Sequence, residues 1–258
     1  MERNKILSKY DHIFIKEQEY YKKEKISSSR DFDLENENFF RLSYLKFKIL
    51  LGNVKNKKIL DVGCGNGALS FYLTRKGAEV IGIDLSINFV EFCKKEANNL
   101  QLNTEFRVMN AQIPDFKEDT FDIIVGTRVV HHIPNISLFF RECKRILKKG
   151  GFILFIEPLK KNPIVEFNRK HFSPKRRTKY EHPLKMSDLK LAYEVFGNIK
   201  HYEYFFLSPV AKIFQNLIKS NTIFKASYKF LNLIEKPLCK INALKPYCWQ
   251  TVFKCIKS

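Results

Sequence analysis

The run Asp61-Val62-Gly63-Cys64-Gly65-Asn66-Gly67 constrains this chain more than any other stretch. It joins a short apolar strand, Lys58 to Val62, to a helical stretch from Ala68 to Lys76 that ends at Gly77. Glycines at such a bend let the backbone turn tightly and approach a ligand without a Cβ in the way. Gly63, Gly65 and Ala68 also satisfy the dinucleotide pattern, so the glycines alone leave an NAD(P)-dependent oxidoreductase as a rival. Asp61 separates the two, because a pyrophosphate at this turn would have to tolerate that carboxylate, whereas a cationic ligand is favoured by it. Asp84, about 20 residues on at the end of a second strand, is placed to accept ribose hydroxyls from either ligand.

The spacing downstream repeats the strand–helix theme. Strands are predicted at Glu79 to Ile83, Phe106 to Val108, Phe121 to Gly126 and Gly151 to Ile156, with helices at Ile87 to Asn98 and Ser137 to Lys148. Beyond Glu157 comes a basic, Pro-containing loop to Leu184, a helix from Ser187 to Phe196 and a strand from Ile199 to Leu207. A last strand is suggested by Trp249, Thr251, Phe253 and Cys255 alternating with Gln250, Val252 and Lys254. The fold class is therefore α/β: a Rossmann-like doubly wound sheet, mostly parallel with an antiparallel last strand. Residues 1–52 are read as an N-terminal helical cap over the cleft, 53–207 as the core, 208–246 as an amphipathic helical insertion and 247–258 as the last strand of the core. In the second helix of that insertion, Ile223, Phe224, Tyr228, Leu231 and Ile234 are expected on one face, opposite Lys225, Lys229, Asn232 and Lys236.

The stretch from Ile59 to Pro158 resembles the class I S-adenosylmethionine-dependent methyltransferases, and is similar to the branch of ubiquinone/menaquinone-biosynthesis enzymes. The pieces that carry this are Leu60 to Gly67, Ile83-Asp84-Leu85-Ser86, Phe121-Asp122-Ile123-Ile124 and Leu147-Lys148-Lys149-Gly150-Gly151. The resemblance implies S-adenosylmethionine as cofactor, with Gly63, Gly65 and Gly67 under its methionine part, Asp84 on its ribose, and Asn110, Ala111 and Gln112 beside its adenine. Cys64, Leu85 and Thr127 complete the expected cofactor set with Asp61. One departure is Asn110, where the family usually has Asp; an amide carbonyl still accepts from the adenine amine, without a charge.

Methyl transfer from a sulfonium is an in-line displacement, so the protein supplies alignment and, for a hydroxyl acceptor, a base. Thr127 to His132 follow the fourth strand, whose carboxyl end borders the crevice in this architecture, which makes His132 and His131 the first candidate bases. His182 is the alternative. It lies in a second cluster, Glu157-Pro158, Asn162-Pro163, Arg169, Arg177 and Glu181-His182-Pro183-Leu184, similar to the loop of a subgroup of bacterial methyltransferases. Glu157, Arg169, Arg177 and His182 are the expected acceptor-binding residues, the arginines suiting a phosphate or carboxylate. No metal site is expected: consecutive histidines on an extended loop diverge, and no cysteine pair has ligand spacing.

Charge narrows the partners. The formal net charge is +19, and from Lys160 onward 20 Lys/Arg face 6 Asp/Glu. Such a field favours anionic lipid, nucleic acid or acidic substrates. A small-molecule or lipid-linked acceptor methylated on oxygen or carbon is expected, with RNA as the alternative acceptor, since neither the Asn/Asp-Pro-Pro-aromatic run of base-amino methylation nor a Pro-Cys dipeptide is present. Six cysteines without a disulfide pattern and an N-terminus without an apolar run point to the cytoplasm, with peripheral contact at the inner face of an anionic membrane.

Overall fold

In the computed structural model, residues 12–20, 39–172, 181–211 and 220–258 are described. The chain opens with a helix over residues 12–20 (α1) and α2, Arg41–Leu51. There follow β1 (Lys58–Val62), α3 (Ala68–Arg75), β2 (Glu79–Asp84), α4 (Ile87–Asn99), β3 (Thr104–Val108), β4 (Phe121–Thr127), α5 (Ile136–Ile146) and β5 (Leu147–Pro158). The remainder comprises α6 (Pro163–Phe172), α7 (Met186–Phe196), β6 (Lys200–Tyr204), α8 (Asn221–Leu238) and β7 (Gln250–Ile256).

The seven strands form one sheet in the order β3-β2-β1-β4-β5-β7-β6. β1 to β5 pair in parallel, and β7 runs antiparallel to both β5 and β6. The expected Rossmann-like sheet with an antiparallel last strand is thus present, with β7 inserted between β5 and β6. That position explains why β7 does not alternate in burial as its sequence suggests: Thr251, Val252 and Phe253 are all buried because both faces and both edges are covered.

The strands separate two apolar layers by their period of two. Ile124, Phe155 and Phe253 point toward α5 and α7, meeting Phe139, Phe140 and Phe196. Their neighbours Ile123, Leu154 and Val252 point the other way, against Phe47 and Leu51 of α2 and Leu69 and Leu73 of α3. Fully burying a side chain such as Phe47 contributes roughly 2–3 kcal/mol. α2, read from sequence as part of a cap over the cleft, is therefore a core helix. It is also tied to β7 by Ser43 Oγ donating to Gln250 Oε1 (2.8 Å) and Lys254 Nζ donating to Leu50 O (2.8 Å).

Two boundaries differ from expectation for tertiary reasons. The helix predicted to run to Lys148 stops at Ile146, because Leu147 already pairs with Phe121 and Gly150 takes a left-handed φ of 76°. Gly150 N and Lys257 N then exchange bonds with Lys257 O and Gly151 O across to β7. In the insertion, the first expected helix falls largely outside the described residues, while the break near Ser220 is the N-cap of α8, its hydroxyl accepting from Ile223 N. Among the described residues no helix is long and apolar enough to cross a membrane.

Candidate active site

The site begins at the carboxyl end of β1. Gly63, Gly65 and Gly67 adopt φ of 64°, 51° and 78°, which L side chains rarely reach. A Cβ on Gly63 would lie 2.4 Å from Val129 Cγ2, so this glycine is where the first turn meets the loop after β4. A Cβ on Gly65 would meet nothing within 4 Å, so the turn presents bare backbone to an open space. The turn is fixed by Cys64 N donating to Ile83 O (3.0 Å), Gly67 N to Cys64 O (2.9 Å) and Cys93 Sγ to Gly65 O (3.1 Å).

Two carboxylates flank that space. Asp61, near the end of β1, is buried and receives Ser70 Oγ at 2.6 Å. Burial above all, with Asp84 nearby adding to it, pushes Asp61 up from 3.8 to about 7. Asp84, the last residue of β2, accepts from Gly65 N (3.0 Å) and Ser86 N (2.9 Å), and burial raises it too. Such a pair holds negative charge at a cost that a cation would relieve, and its backbone cradle is bare. The donor set thus fits a cationic nucleoside: carboxylate beside the bend for the charge, carboxylate on the second strand for ribose hydroxyls.

The opposite wall is the loop after β4. A Cβ on Gly126 would lie 2.7 Å from Phe155, so only glycine lets β4 and β5 approach there. Val130–His132 form a single 3-10 turn, with Arg128 in a left-handed conformation at φ 57° before it. The rings of His131 and His132 lie 4.2 Å apart but face different partners. His131 is buried; its Nδ1 lies 2.7 Å from Glu157 Oε2 and its Nε2 3.8 Å from Glu181 Oε1. His132 is half-buried, with Nδ1 3.2 Å from Glu17 Oε2 of α1. α1 is anchored beside it by Gln18 Nε2 donating to Leu85 O (3.0 Å).

Residues 60–155 match the family model described as "Methyltransferase domain". Residues 60–155 thus form a methyltransferase domain. Around it, a ubiquinone biosynthesis O-methyltransferase of Pelagibacter ubique is 38% identical over 136 residues, covering 50% of this chain and 56% of the relative. A protein of the same name from Coxiella burnetii is 35% identical over 118 residues, covering 46% and 49%. The chain thus spans about half the length of the curated relatives it matches. In fold, it is similar to geranyl diphosphate C-methyltransferase of Streptomyces coelicolor, with TM-score 0.61, 15% identity and 95% and 98% of the two chains covered. A phosphoethanolamine N-methyltransferase of Haemonchus contortus gives TM-score 0.59 at 18% identity, over 84% and 52%. The NAD(P) rival left open by the glycines alone is thereby set aside.

Within the methyltransferase domain, the expected cofactor residues Asp61, Gly63, Cys64, Gly65, Gly67, Asp84 and Leu85 gather at one corner. Asn110 caps its own turn, its Oδ1 accepting from Gln112 N (2.9 Å), so an adenine amine would have to use the second lone pair. Ala111 and Gln112 are buried, and Gln112 Oε1 receives Asn135 N (2.8 Å), joining the β3–β4 loop to α5. Thr127 sits half-buried at the end of β4.

The expected acceptor residues scatter. Glu157, expected to face an acceptor, is fully buried at the end of β5; it accepts Val129 N and Val130 N (both 2.8 Å) and His131, so it braces the loop. His131, expected as a candidate base, is enclosed in the same brace. His182 Nε2 donates to Ile133 O (3.0 Å) and its backbone N to His131 O (2.9 Å), binding a further strand of chain to that loop. Arg169 pairs with Glu166 within α6 (2.9 Å), and Arg177 lies outside the described residues. Asn162 Nδ2 donates to Phe205 O, Phe206 O and Tyr247 O, a fastening point whose Asn-Pro signal the sequence did display. Glu17, Gln18 and Ser70 were missed. Ser70 alone carried a signal, being a hydroxyl inside the apolar run of α3; Glu17 and Gln18 lie in a charged helix with none.

Proposed function

We propose that the chain moves a methyl group from S-adenosylmethionine to an oxygen, or less readily a carbon, of a small-molecule or lipid-linked acceptor. The observation that carries this is the pairing of the raised, buried Asp61 at a bare glycine bend with the half-buried His132 across from it. Gly63, Gly65 and Gly67 would lie under the amino-acid part of the cofactor, Asp61 would answer its positive charge, and Asp84 would accept its ribose hydroxyls. When bound, S-adenosylmethionine supplies an electrophilic methyl on a cationic sulfur.

The remaining chemistry belongs to the chain. Glu17 Oε2 lies 3.2 Å from His132 Nδ1, and a carboxylate at that distance would favour the neutral tautomer with its proton on Nδ1 and Nε2 as the lone-pair nitrogen. That nitrogen would take the proton of an acceptor hydroxyl as the methyl moves. The brace of Glu157, His131 and His182 holds the backbone that carries His132, and α1 screens the corner from water. Relatives named as O-methyltransferases support a hydroxyl acceptor. A lipid-linked acceptor would be met at the inner membrane face, by peripheral contact of a basic chain.

Calorimetry tests the cofactor half: S-adenosylhomocysteine should bind, and Asp84→Ala should abolish it. Tight NADH binding in its place would sink the reading. An untargeted search for methylated metabolites and lipids in extracts given enzyme and labelled cofactor identifies the acceptor. On a hydroxyl acceptor, His132→Ala should lower turnover by about 10²–10⁴-fold. Undiminished turnover removes His132 as the base.

A further inference from the structure

Cys239 and Cys248 bring two thiols together where α8 gives way to β7. Cys239 is the C-cap of α8, its N donating to Glu235 O (2.8 Å). Cys248 stands two residues before β7, and the entry to that strand is fixed by Trp249 N donating to Tyr204 O (3.0 Å) and Phe205 O (3.1 Å). Between the two cysteines runs a surface segment, with residues 240–243 exposed and a single 3-10 turn at Lys245–Tyr247.

Cys248 Sγ donates to Cys239 Sγ at 3.6 Å. Sulfurs at that separation touch, and they need to close by only about 1.6 Å to reach the bond length of a disulfide. The last turn of α8 can supply the movement: Pro237 lies inside it and has no N–H, so the turn lacks one of its hydrogen bonds. The two thiols are unequal. Cys239 is 9% exposed and Cys248 0%, so a reagent from solvent meets Cys239 first. The hydrogen bond from Cys248 lowers Cys239 below the ordinary thiol value, against burial and the nearby Glu235, and the same bond raises Cys248.

We propose that Cys239 and Cys248 are a redox-sensitive clasp, closed by a low-molecular-weight disulfide into a bridge between the end of α8 and the start of β7. Cys239 Sγ, as thiolate, attacks one sulfur of R–S–S–R, whose S–S bond breaks to release RS⁻. Cys248 Sγ then gives up its proton and attacks Cys239 Sγ of the mixed disulfide, releasing a second RS⁻. The two thiol protons leave on these groups as two RSH; the cysteines lose two electrons and the small disulfide gains them. In a reducing compartment the pair rests as thiols, so the bridge would mark a shift toward oxidation. The clasp does not depend on the methyl-transfer reading, because β7 is three strands from β1 and the glycine bend.

The test is incubation of the full chain with oxidised glutathione, followed by alkylation, digestion without reductant and mass analysis. The protein should become lighter by two hydrogens, with the peptides holding Cys239 and Cys248 joined. Its melting midpoint should rise by on the order of 5 °C and fall back with dithiothreitol, while S-adenosylhomocysteine affinity stays unchanged. Cys248→Ser should stop at the mixed disulfide, with one glutathione on Cys239. Cys239→Ser should react at Cys248 about tenfold more slowly or less. The buried Cys64, Cys93, Cys143 and Cys255 should be recovered as thiols. Recovery of Cys239 and Cys248 as thiols after prolonged exposure overturns the proposal, as does a bridge to one of the other four. A Cys239–Cys248 bridge that forms only in denaturant overturns it too, since the folded geometry would then have no part in it.

Discussion

Asp61 shows how one residue can be costly for the fold and useful to the site. Its pKa is raised, so the acid is protonated and unpenalised at low pH, and the penalty for ionising it grows as pH rises from about 4 through about 7. The ligand-free chain should therefore lose stability across that rise. S-adenosylmethionine, by supplying positive charge, should bind more tightly over the same interval, about tenfold from pH 6 to pH 8, with proton release near pH 7 visible as buffer-dependent binding enthalpy. Asp61→Asn should flatten that dependence and weaken binding at pH 8, while raising unfolding free energy there by on the order of 2–4 kcal/mol, read by denaturant titration. Ser70 Oγ can still donate to an asparagine carbonyl, so the variant keeps its buried bond. The acid beside the glycines was legible in sequence as a charge preference. Its burial was not, because burial depends on Ser70 and Asp84 arriving from α3 and β2.

At the scale of elements, the loop after β4 owes its shape to β5. Glu157 satisfies two backbone donors and a histidine at the mouth of the sheet, a place where those groups have no strand partner. Glu157→Ala should cost about 3 kcal/mol of stability, seen as a lower denaturation midpoint, because it strands buried donors and leaves a cavity. Glu157→Gln should cost less, since its carbonyl can replace one accepting oxygen. A Glu157 that instead contacted an acceptor would show a raised acceptor KM with unchanged stability. Sequence reasoning assigned Glu157 and His131 to chemistry because both are polar and lie just beyond strands. It could not see that β4 and β5 end in register, Thr127 beside Ile156, which brings the two residues together as structure.

At the scale of the molecule, α1 is the part whose position the rest of the chain must explain. It rests on the cofactor corner through Gln18 to Leu85 O and Glu17 to His132, contacts about 67 and 115 residues distant in sequence. Gln18→Ala removes a single bond worth about 1 kcal/mol, so release of S-adenosylhomocysteine should quicken by about fivefold in stopped flow, with the melting midpoint nearly unmoved. Unchanged release would mean that α1 does not retain the ligand. What the sequence by itself determined was the alternation of strands and helices, the glycine bend and its two acids, since each follows from local periodicity, backbone freedom and charge. The tertiary structure alone decided that α2 belongs to the core, that Glu157 and His131 are a brace, and that α8 leaves Phe230, Leu233 and Ile234 exposed. Those outcomes depend on which surfaces meet across the sheet, and no local pattern records how much of an apolar face its neighbours will cover.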